Sequence, residues 1–314
     1  MKNFQLSISE LQGVMISFER ANEYNNIFSE NYITNPNPKK LNKNEKNNEI
    51  MDDNKNNFEN NFKFKNGKIQ FDNYSLKYKP DGKLILKDMN FIINSGEKIG
   101  VIGKTGCGKS TLIYAITRII ESCNGKILID DIDISTIPLQ ILRKNIGVLS
   151  QNNNISEGTF LYNLDPLGKY SESEIKEVLK NLDFWSNREE LDNYGLSDYI
   201  EENGTNLSLA EKSLIGVTKL LLKKNYSILI LDGLGSCLDE KTQEIAYKAI
   251  YSSFPDSTII IITHEIKPFM KIDRVMTINN GLLAEFDTIE NLKNDKKSLF
   301  NVLQRNIVEE ENFQ

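Results

Sequence analysis

A glycine-rich segment with the letters GKTGCGKST, at residues 103–111, constrains the fold of this chain more than any other feature. It matches the pattern GxxxxGK[ST], an apolar run at residues 99–102 precedes it, and a helix-like pattern follows it. In such a context the glycines let the backbone curl around a phosphate group, while amide N–H groups and the positive helix end point at the anion. The segment therefore predicts a phosphate-binding loop (P-loop) for a nucleotide in an α/β fold.

The residue types within this loop fit a complex of a nucleotide with magnesium. Lys109 is placed to reach the β- and γ-phosphates, and the Ser110 hydroxyl is placed to coordinate Mg²⁺. We interpret Cys107, which lies inside the loop, as a small tolerated side chain rather than a redox group. A P-loop alone does not separate kinases, GTPases, DNA-repair ATPases and transporters, so the residues that follow it must decide.

Polar residues at the ends of apolar runs supply the next candidates. Gln151 follows the strand-like residues 146–150 and can reach Mg²⁺ or an attacking water. Asp232 ends the run ILILD, as a buried strand that delivers a metal-binding carboxylate would. His264, the single histidine of the chain, closes a further apolar run, and we predict that it contacts phosphate.

The composition narrows the functional class. The formal net charge is −6 and no large basic block is present, which argues against nucleic acid as the main partner. The three cysteines form no CxxC pair, which indicates a reducing compartment and gives no support for a zinc site. No run approaches the roughly 18 apolar residues of a membrane-spanning helix, and the N-terminus lacks the apolar core of a secretory signal.

The composition and the apolar periodicity of the chain change near residue 67. Residues 31–66 consist largely of Asn, Lys, Asp and Glu without apolar periodicity, so we predict a disordered linker. Strand and helix patterns then alternate over residues 67–306, and residues 307–314 form a tail. Residues 1–30 carry apolar side chains at helical spacing, which fits either an ordinary amphipathic helix or a connector.

Three further runs carry a resemblance that covers residues 67–306: SLKYKPDGKLILKDMNF before the P-loop, GTFLYNLDPLGKYSESEI after Gln151, and YIEENGTNLS before LSLAE. With these runs the chain resembles the nucleotide-binding domain of an ABC transporter, in particular the second cassette of the multidrug-resistance-associated (C) subfamily. SFERANEY, near the N-terminus, is similar to the end of the last transmembrane helix and its connector. The chain thus resembles a piece of a transporter without its membrane domain.

The resemblance implies a fold and a setting. The fold would be a RecA-like P-loop core with a parallel sheet, an antiparallel β-subdomain near residues 67–100 and a helical subdomain at about residues 158–222. ATP and Mg²⁺ would bind at a composite site shared with a partner cassette, to power or regulate an exporter. The chain, soluble in itself, would work at the cytosolic face of a membrane together with a transmembrane domain.

The resemblance also implies residue roles. Tyr78 would stack on adenine, the alternative being an ordinary tyrosine on a strand face. Ser110, Gln151 and Asp232 would arrange Mg²⁺, and His264 would contact the γ-phosphate, with His264, Gln151 and Lys109 as the catalytic group. The phosphates would be held by Gly103, Lys104, Thr105, Gly106, Cys107, Gly108, Lys109, Ser110 and Thr111.

Two segments would face the partner cassette. Ser236 and Asp239 belong to the SCLD loop, residues 236–239, which would contact the partner. The signature would press against ATP held by the partner, through a serine hydroxyl and the backbone amides of a helix N-terminus. It comprises Leu207, Ser208, Leu209, Ala210 and Glu211.

This signature departs from the family sequence, which is close to LSGGQ. Ser208 is kept, and the position of Leu209 varies within the family. Ala210 replaces a glycine that allows close backbone approach. Glu211 places a carboxylate where an uncharged amide normally lies, which should weaken the partner's site by roughly 1 kcal/mol in a water-like dielectric.

Gly233 is the second departure, because the family places a glutamate directly after the strand aspartate. That glutamate activates the attacking water, and the loss of a general base lowers a rate by ~10²–10⁴. Positioning and Mg²⁺ still stabilise the transition state, so slow turnover remains compatible with the sequence. Glu240 is an alternative base, but we expect it to begin the next helix and point elsewhere.

Three readings follow from these features. The first is a working half of a transporter ATPase, and the second is a degenerate cassette that binds ATP with little hydrolysis of its own. Gly233 and LSLAE favour the second. The third, a soluble ABC protein of DNA repair or translation, would need long heptad repeats or a second cassette, and the sequence contains neither.

Overall fold

The computed structural model describes residues 63–151, 153–184, 195–235 and 237–311. The predicted connector at residues 1–30 and the greater part of the predicted linker lie outside the described residues. The helices are α1 Lys109–Ile116, α2 Leu139–Lys144, α3 Phe160–Leu164, α4 Glu172–Asn181, α5 Leu209–Leu222, α6 Glu240–Ser253, α7 Ile289–Asn294 and α8 Leu299–Glu311. The strands are β1 Ile69–Leu76, β2 Leu86–Ile93, β3 Lys98–Ile102, β4 Asn124–Ile129, β5 Ile132–Asp133, β6 Ile146–Leu149, β7 Gly158–Thr159, β8 Tyr199–Ile200, β9 Ile228–Asp232, β10 Thr258–Ile262, β11 Arg274–Asn279 and β12 Leu282–Thr288.

The larger sheet has six strands in the order β12-β11-β3-β10-β9-β6. All neighbours pair in parallel except β12, which joins the edge antiparallel to β11. The central strands are almost continuously apolar, and every residue of β10 is buried, as expected for parallel strands covered on both faces. Because β3, β6, β9 and β10 run in one direction, their carboxyl ends meet at one edge, and the P-loop, Gln151, Asp232 and His264 follow those ends.

A second sheet, in the order β2-β1-β4-β5, is antiparallel throughout. It packs against the larger sheet through a shared core, in which the ring of Phe91 in β2 meets that of Phe286 in β12 with centroids 5.9 Å apart. The predicted antiparallel β-subdomain near residues 67–100 is thus present, with two differences. Its third and fourth strands, β4 and β5, come after α1, and β3 belongs to the parallel sheet.

The predicted helical subdomain, residues 158–222, contains α3, α4 and α5. Ser171 begins α4 with a capping box, in which Ser171 and Glu174 satisfy each other's backbone N–H groups. Ile175 and Leu179, one helical turn apart, are buried toward the other helices. The short pair β7–β8 joins the start of this region to Tyr199–Ile200, which precede α5.

The packed part of the chain extends beyond the predicted boundaries. Phe64, which we assigned to the linker, is only 2% exposed. Its N–H donates to Asn145 Oδ1 at 3.3 Å, and its carbonyl accepts from the Ser227 hydroxyl at 2.7 Å. At the other end, α8 continues to Glu311, into the segment predicted as a tail. Within the described ranges, no helix is long and apolar enough to cross a lipid bilayer.

Candidate nucleotide site

The P-loop connects β3 to α1 in a conformation that its glycines permit. Gly103, Gly106 and Gly108 have φ of 155°, 79° and 113°, values that residues with a Cβ rarely adopt. A Cβ on Gly103 would lie 2.4 Å from the carbonyl oxygen of Ile278 and 2.6 Å from Cys107 Sγ. Cys107 itself is 6% exposed and belongs to the core beneath the loop.

The Lys109 side chain folds back over this loop. Its Nζ donates to the carbonyl oxygens of Gly103 at 2.6 Å and Lys104 at 3.1 Å. The ammonium is therefore held at the centre of the loop by two neutral acceptors. A phosphate oxygen carries a negative charge that a carbonyl oxygen lacks, so a phosphate can replace these carbonyls as the partner of the ammonium.

One cavity of about 560 Å³ collects most of the predicted site residues. The predicted residues on its wall come from five separate segments: Tyr78, Thr105, Gly106, Gly108, Lys109, Ser110, Thr111, Gln151, Asp232, Gly233 and His264. Residues far apart in the sequence thus surround one space, at the edge where the carboxyl ends of the parallel strands meet. Gly103, Lys104 and Cys107 form the loop behind this wall.

Asp232 lies in the cavity beside Ser110, whose hydroxyl donates to Asp232 Oδ2 at 3.2 Å. Burial raises the pKa of the Asp232 carboxyl, against the lowering effects of this hydrogen bond and of the charges on Lys109 and His264. A partly buried carboxylate of this kind gains from a bound cation. A hydroxyl, a carboxylate and the Gln151 amide together offer oxygen ligands, which Mg²⁺ prefers.

The protein alone does not enclose a metal here. Among the described residues, no group of three or more His, Cys, Asp or Glu side chains could hold a metal ion. Magnesium commonly completes its coordination with substrate phosphates and water rather than with an all-protein cage. The residues present therefore fit a metal that arrives with a nucleotide.

Tyr78 lies at the mouth of the cavity. Its side chain is 53% exposed, and its hydroxyl is 2.7 Å from Thr111 Oγ1 in the first turn of α1. The hydrogen bond fixes the ring next to the P-loop while leaving part of it accessible. An exposed ring in this position can stack on a nucleotide base.

Gly233, which stands where the family has a glutamate, has a left-handed backbone with φ of 72°. Its N–H donates to the Ile262 carbonyl at 3.2 Å. A Cβ at this position would lie 3.1 Å from Gln151 Cγ and 3.3 Å from Gln151 Cβ. The Gln151 side chain therefore occupies the space beside Gly233, and a glutamate here would meet both backbone strain and crowding.

The alternative base Glu240 points away, as expected. Its side chain is 72% exposed at the start of α6, and Lys267 Nζ lies 3.8 Å from its Oε1. The structure instead places Glu265, which we had not singled out, on the wall of the nucleotide cavity. The sequence signal was its position directly after His264. Gln243, also unforeseen, lines the same cavity from α6.

The signature forms the N-terminus of α5. Ser208 is the N-cap, and its Oγ accepts from the Glu211 N–H at 3.2 Å. Glu211 Oε2 accepts from the Ser208 N–H at 2.8 Å and from the Ser208 hydroxyl at 2.9 Å. The carboxylate that we singled out as a like charge thus lies at the helix end itself. Leu209 is 68% exposed, and the signature lines no part of its own chain's nucleotide cavity.

The SCLD loop leads into α6. Asp239 is the N-cap of that helix, and its carboxylate accepts from the Thr242 N–H at 3.0 Å and the Thr242 hydroxyl at 2.6 Å. These hydrogen bonds lower the pKa of Asp239. Ser236, the other predicted partner-facing residue, lies outside the described residues.

Comparison with known proteins agrees with this geometry. Residues 86–233 match the family model described as ABC transporter. The chain is 36% identical over 234 residues to the metal resistance protein YCF1 of Saccharomyces cerevisiae, which covers 74% of this chain and 15% of that protein. It is 39% identical over 239 residues to ABC transporter C family member 13 of Oryza sativa subsp. indica, which covers 75% of this chain and 16% of that protein.

A solved structure of a bacterial Atm1-family ABC exporter with ATP bound is similar over 78% of this chain and 43% of that chain. The TM-score is 0.70 and the sequence identity is 26%. The chain spans only about 15% of the length of the curated relatives it matches. Because the family model and these relatives match the P-loop fold, we conclude that the chain contains an ABC transporter domain. This domain is related to members of the C subfamily.

Proposed function

We propose that this chain binds Mg-ATP in the cavity described above, and that the bound nucleotide holds it against a second cassette. The Lys109 ammonium carries this proposal, because it lies at the centre of the P-loop on two carbonyl oxygens that a phosphate can replace. The N-terminus of α1 beside it has no side-chain cap and no acidic residue in its first turn. Its backbone N–H groups and positive end are thus open to an anion.

Each residue of the cavity then has a task. Ser110, Asp232 and Gln151 would hold Mg²⁺ through oxygen atoms, while the triphosphate supplies the remaining metal ligands when it is bound. Tyr78 would stack on the adenine ring from the mouth of the cavity. His264, exposed on the cavity wall, would contact the γ-phosphate.

We infer that hydrolysis at this site is slow, which makes the chain a cassette that binds ATP and regulates rather than drives. Gly233 has no side chain to activate water, and its left-handed backbone disfavours any residue that could. The competing reading is a working ATPase half. One observation favours it: Glu265 is a second carboxylate on the cavity wall, besides Asp232, among the described residues. That reading would need Glu265 to orient the attacking water.

The partners follow from the composite site. A second cassette, from the same transporter or from another copy of this chain, would supply the signature for this P-loop and receive the signature of this chain. A transmembrane domain of an exporter would receive the resulting movement at the cytosolic face of a membrane. Two of the proteins named above are described as an ABC transporter and an ABC exporter, which supports this setting over a soluble ABC protein of DNA repair or translation.

The experiment that tests nucleotide binding is a titration of the purified chain with Mg-ATP, beside Lys109→Ala and Lys176→Ala. Lys176 is an exposed lysine of α4 that pairs with Glu172 at 3.3 Å, remote from the cavity. We expect Lys109→Ala to weaken binding by about 100-fold, since hydrogen bonds to charged groups contribute roughly 1.5–3 kcal/mol each. Lys176→Ala should bind as the parent does. Equal affinity in all three proteins would contradict the proposed site.

A further inference from the structure

Helix α5 carries a glycine in its interior, and a side chain from another segment fills the space that this glycine leaves. Gly216 is buried in the middle of the helix. A Cβ there would lie 2.5 Å from Nδ2, 2.6 Å from Oδ1 and 2.7 Å from Cγ of Asn153, which is closer than Cβ atoms approach other atoms in proteins. The Asn153 carboxamide therefore lies directly on the helix backbone, in a notch that only glycine provides.

A hydrogen bond fixes the Asn153 amide in this notch. Its Nδ2 donates to the carbonyl oxygen of Lys212, about one turn before Gly216, at 3.0 Å. A carbonyl oxygen has two lone pairs, so it can accept this bond beside one from within the helix. The reversed amide would place Oδ1 against the carbonyl oxygen, which sets the orientation. We call the contact of Asn153 with Lys212 and Gly216 the Asn153 seat.

The Asn153 seat contributes little to the stability of the chain as a whole. A glycine inside a helix is less favourable than an alanine by about the amount that one hydrogen bond contributes. The cost of Gly216 and the gain from the bond to Lys212 therefore nearly cancel. We expect the main effect of the seat to be on the position of the chain around Asn153.

The segment that the seat holds carries Gln151, two residues before Asn153. Gln151 lies on the wall of the nucleotide cavity, and its side chain packs beside Gly233. It also borders a second cavity of about 170 Å³, whose wall includes Asn153 and Lys212. Packing alone thus leaves Gln151 room to move. Strand β6, which ends at Leu149, fixes the backbone before Gln151, and the seat fixes it two residues later.

We propose that Asn153 is a positioning residue that holds Gln151 where its amide oxygen can bind the Mg²⁺ of Mg-ATP, and that Gly216 acts through Asn153. This proposal rests on the proposed function, in which Gln151 is a metal ligand. Groups behind a metal ligand orient it, and their loss commonly weakens metal binding by roughly 10–100-fold. Gly216 lines neither of the two cavities, so its effect on magnesium would have to pass through the seat.

Two substitutions open the seat from opposite sides. Asn153→Ala removes the amide, whereas Gly216→Ala places a Cβ where the amide lies and displaces it. Asn154→Ala is the matched control, because Asn154 is the next residue and is exposed. Gln151→Ala removes the ligand itself and sets the full loss. The measurement is the ratio of the ATP dissociation constants in EDTA and in Mg²⁺, by calorimetry on the full chain, together with Tm.

We expect Asn153→Ala and Gly216→Ala each to lose roughly tenfold of the gain in ATP affinity from Mg²⁺. The double variant should lose no more than the larger single loss, because both changes act on one contact. Asn154→Ala should keep the full gain, and all variants should bind ATP in EDTA as the parent does. Gly216→Ala should melt near the parent, but it should raise Tm by about 2–4 °C in the Asn153→Ala background, where its Cβ has room.

An unchanged magnesium gain in either seat variant, beside a loss in Gln151→Ala, would overturn the proposal. Losses that add up in the double variant would do the same, as would a parallel fall of ATP affinity in EDTA or a Gly216→Ala protein that fails to fold. If Gln151→Ala keeps the full gain, Gln151 is no metal ligand, and both the proposal and that part of the proposed function are wrong. A parent chain that binds no ATP would contradict the proposed function itself.

Discussion

The N-termini of helices α1 and α5 offer the same backbone N–H groups, but only the N-terminus of α5 is occupied by a carboxylate of the chain itself. The first turn of α1 begins after Gly108 with no side-chain cap and no acidic residue. The first turn of α5 begins after Ser208 with a full capping box, closed by the Glu211 carboxylate. Both ends carry backbone N–H groups without a partner inside the helix, and a partial positive charge that favours anions. One end is open to a ligand, and the other already holds an anion of its own.

The difference bears on how the cassette would work with a partner. The α1 end belongs to the chain's own P-loop, whereas the resemblance assigns the α5 end to the partner's ATP. At α5 a phosphate would have to share the Ser208 hydroxyl with Glu211 and would approach a like charge. We therefore expect this chain to hold its own nucleotide well and to contribute weakly to the site of its partner.

We expect the largest change in Mg-ATP binding from a substitution next to the open N-terminus of α1. Asp232→Asn removes the carboxylate that would hold Mg²⁺ next to α1. We expect Mg-ATP affinity to fall by roughly 100-fold, because even the loss of groups behind a metal ligand costs 10–100-fold. Calorimetry with and without EDTA measures this, and the parent's gain from Mg²⁺ should vanish in the variant.

The control for that variant is Asp131→Asn, an exposed carboxylate that pairs with Lys68 away from the cavity. It should retain the full magnesium dependence. Asp232→Asn should not lower Tm in the absence of nucleotide, because burial disfavours the charged Asp232 carboxylate there. A magnesium effect that survives Asp232→Asn would place the metal elsewhere.

A smaller change is expected from a substitution at the capped N-terminus of α5. Glu211→Gln keeps the capping box, since glutamine also serves at this position, but it removes the charge. We expect Mg-ATP-dependent dimerisation to become about fivefold tighter, which corresponds to ~1 kcal/mol for a unit charge at about 4 Å in water. Sedimentation at a series of protein concentrations measures it.

The chain offers a matched control for this change. Glu174→Gln makes the same replacement in the capping box of α4, where Ser171 is the N-cap. It should leave ATP-dependent dimerisation unchanged. If the two variants dimerise equally tightly, the charge at the start of α5 has no special role. The proposed difference between the α1 and α5 ends would then be wrong.

The smallest change is expected in the stability of the chain, from a substitution at Gly233, directly after β9. Gly233→Ala places a Cβ on a left-handed backbone, which costs roughly 1 kcal/mol, and it also crowds Gln151. We expect Tm to fall by at least 2–4 °C for a domain of this size. Gly168→Ala is the reference, because Gly168 has φ of 60° with nothing within 4 Å of its Cβ position. A Gly233 variant no less stable than the Gly168 variant would show that Gln151 leaves room for a side chain.

Much of the site could be predicted from the sequence, because strand ends in a parallel sheet meet at one edge. The family resemblance grouped Lys109, Asp232 and His264 in one site, and this rule explains why they line one cavity. The pairing of β4 with β1 could not be predicted, since the two strands are separated by α1 and nothing local shows which edge β4 will join.

The features that the sequence did not predict depend on neighbours in space. The glycine at position 233 is visible in the sequence, but its left-handed backbone and its contact with Gln151 are not. Glu211 was recognised only as a charge, and there the signal was overlooked rather than hidden, because the spacing Ser208-x-x-Glu211 is the sequence pattern of a capping box. Gln243 looks like an ordinary helix residue until its two bonds to the loop carbonyls are seen.

In the proposed function, this chain holds Mg-ATP at an intact P-loop and hydrolyses it slowly because Gly233 provides no base. The most direct measurement is ATP occupancy and phosphate release by the purified chain at saturating Mg-ATP, with Lys109→Ala as the background. We predict full occupancy and a phosphate release only slightly above this background. Turnover well above the background would contradict the account, because another group, with Glu265 as the nearest candidate by position, would then activate the water.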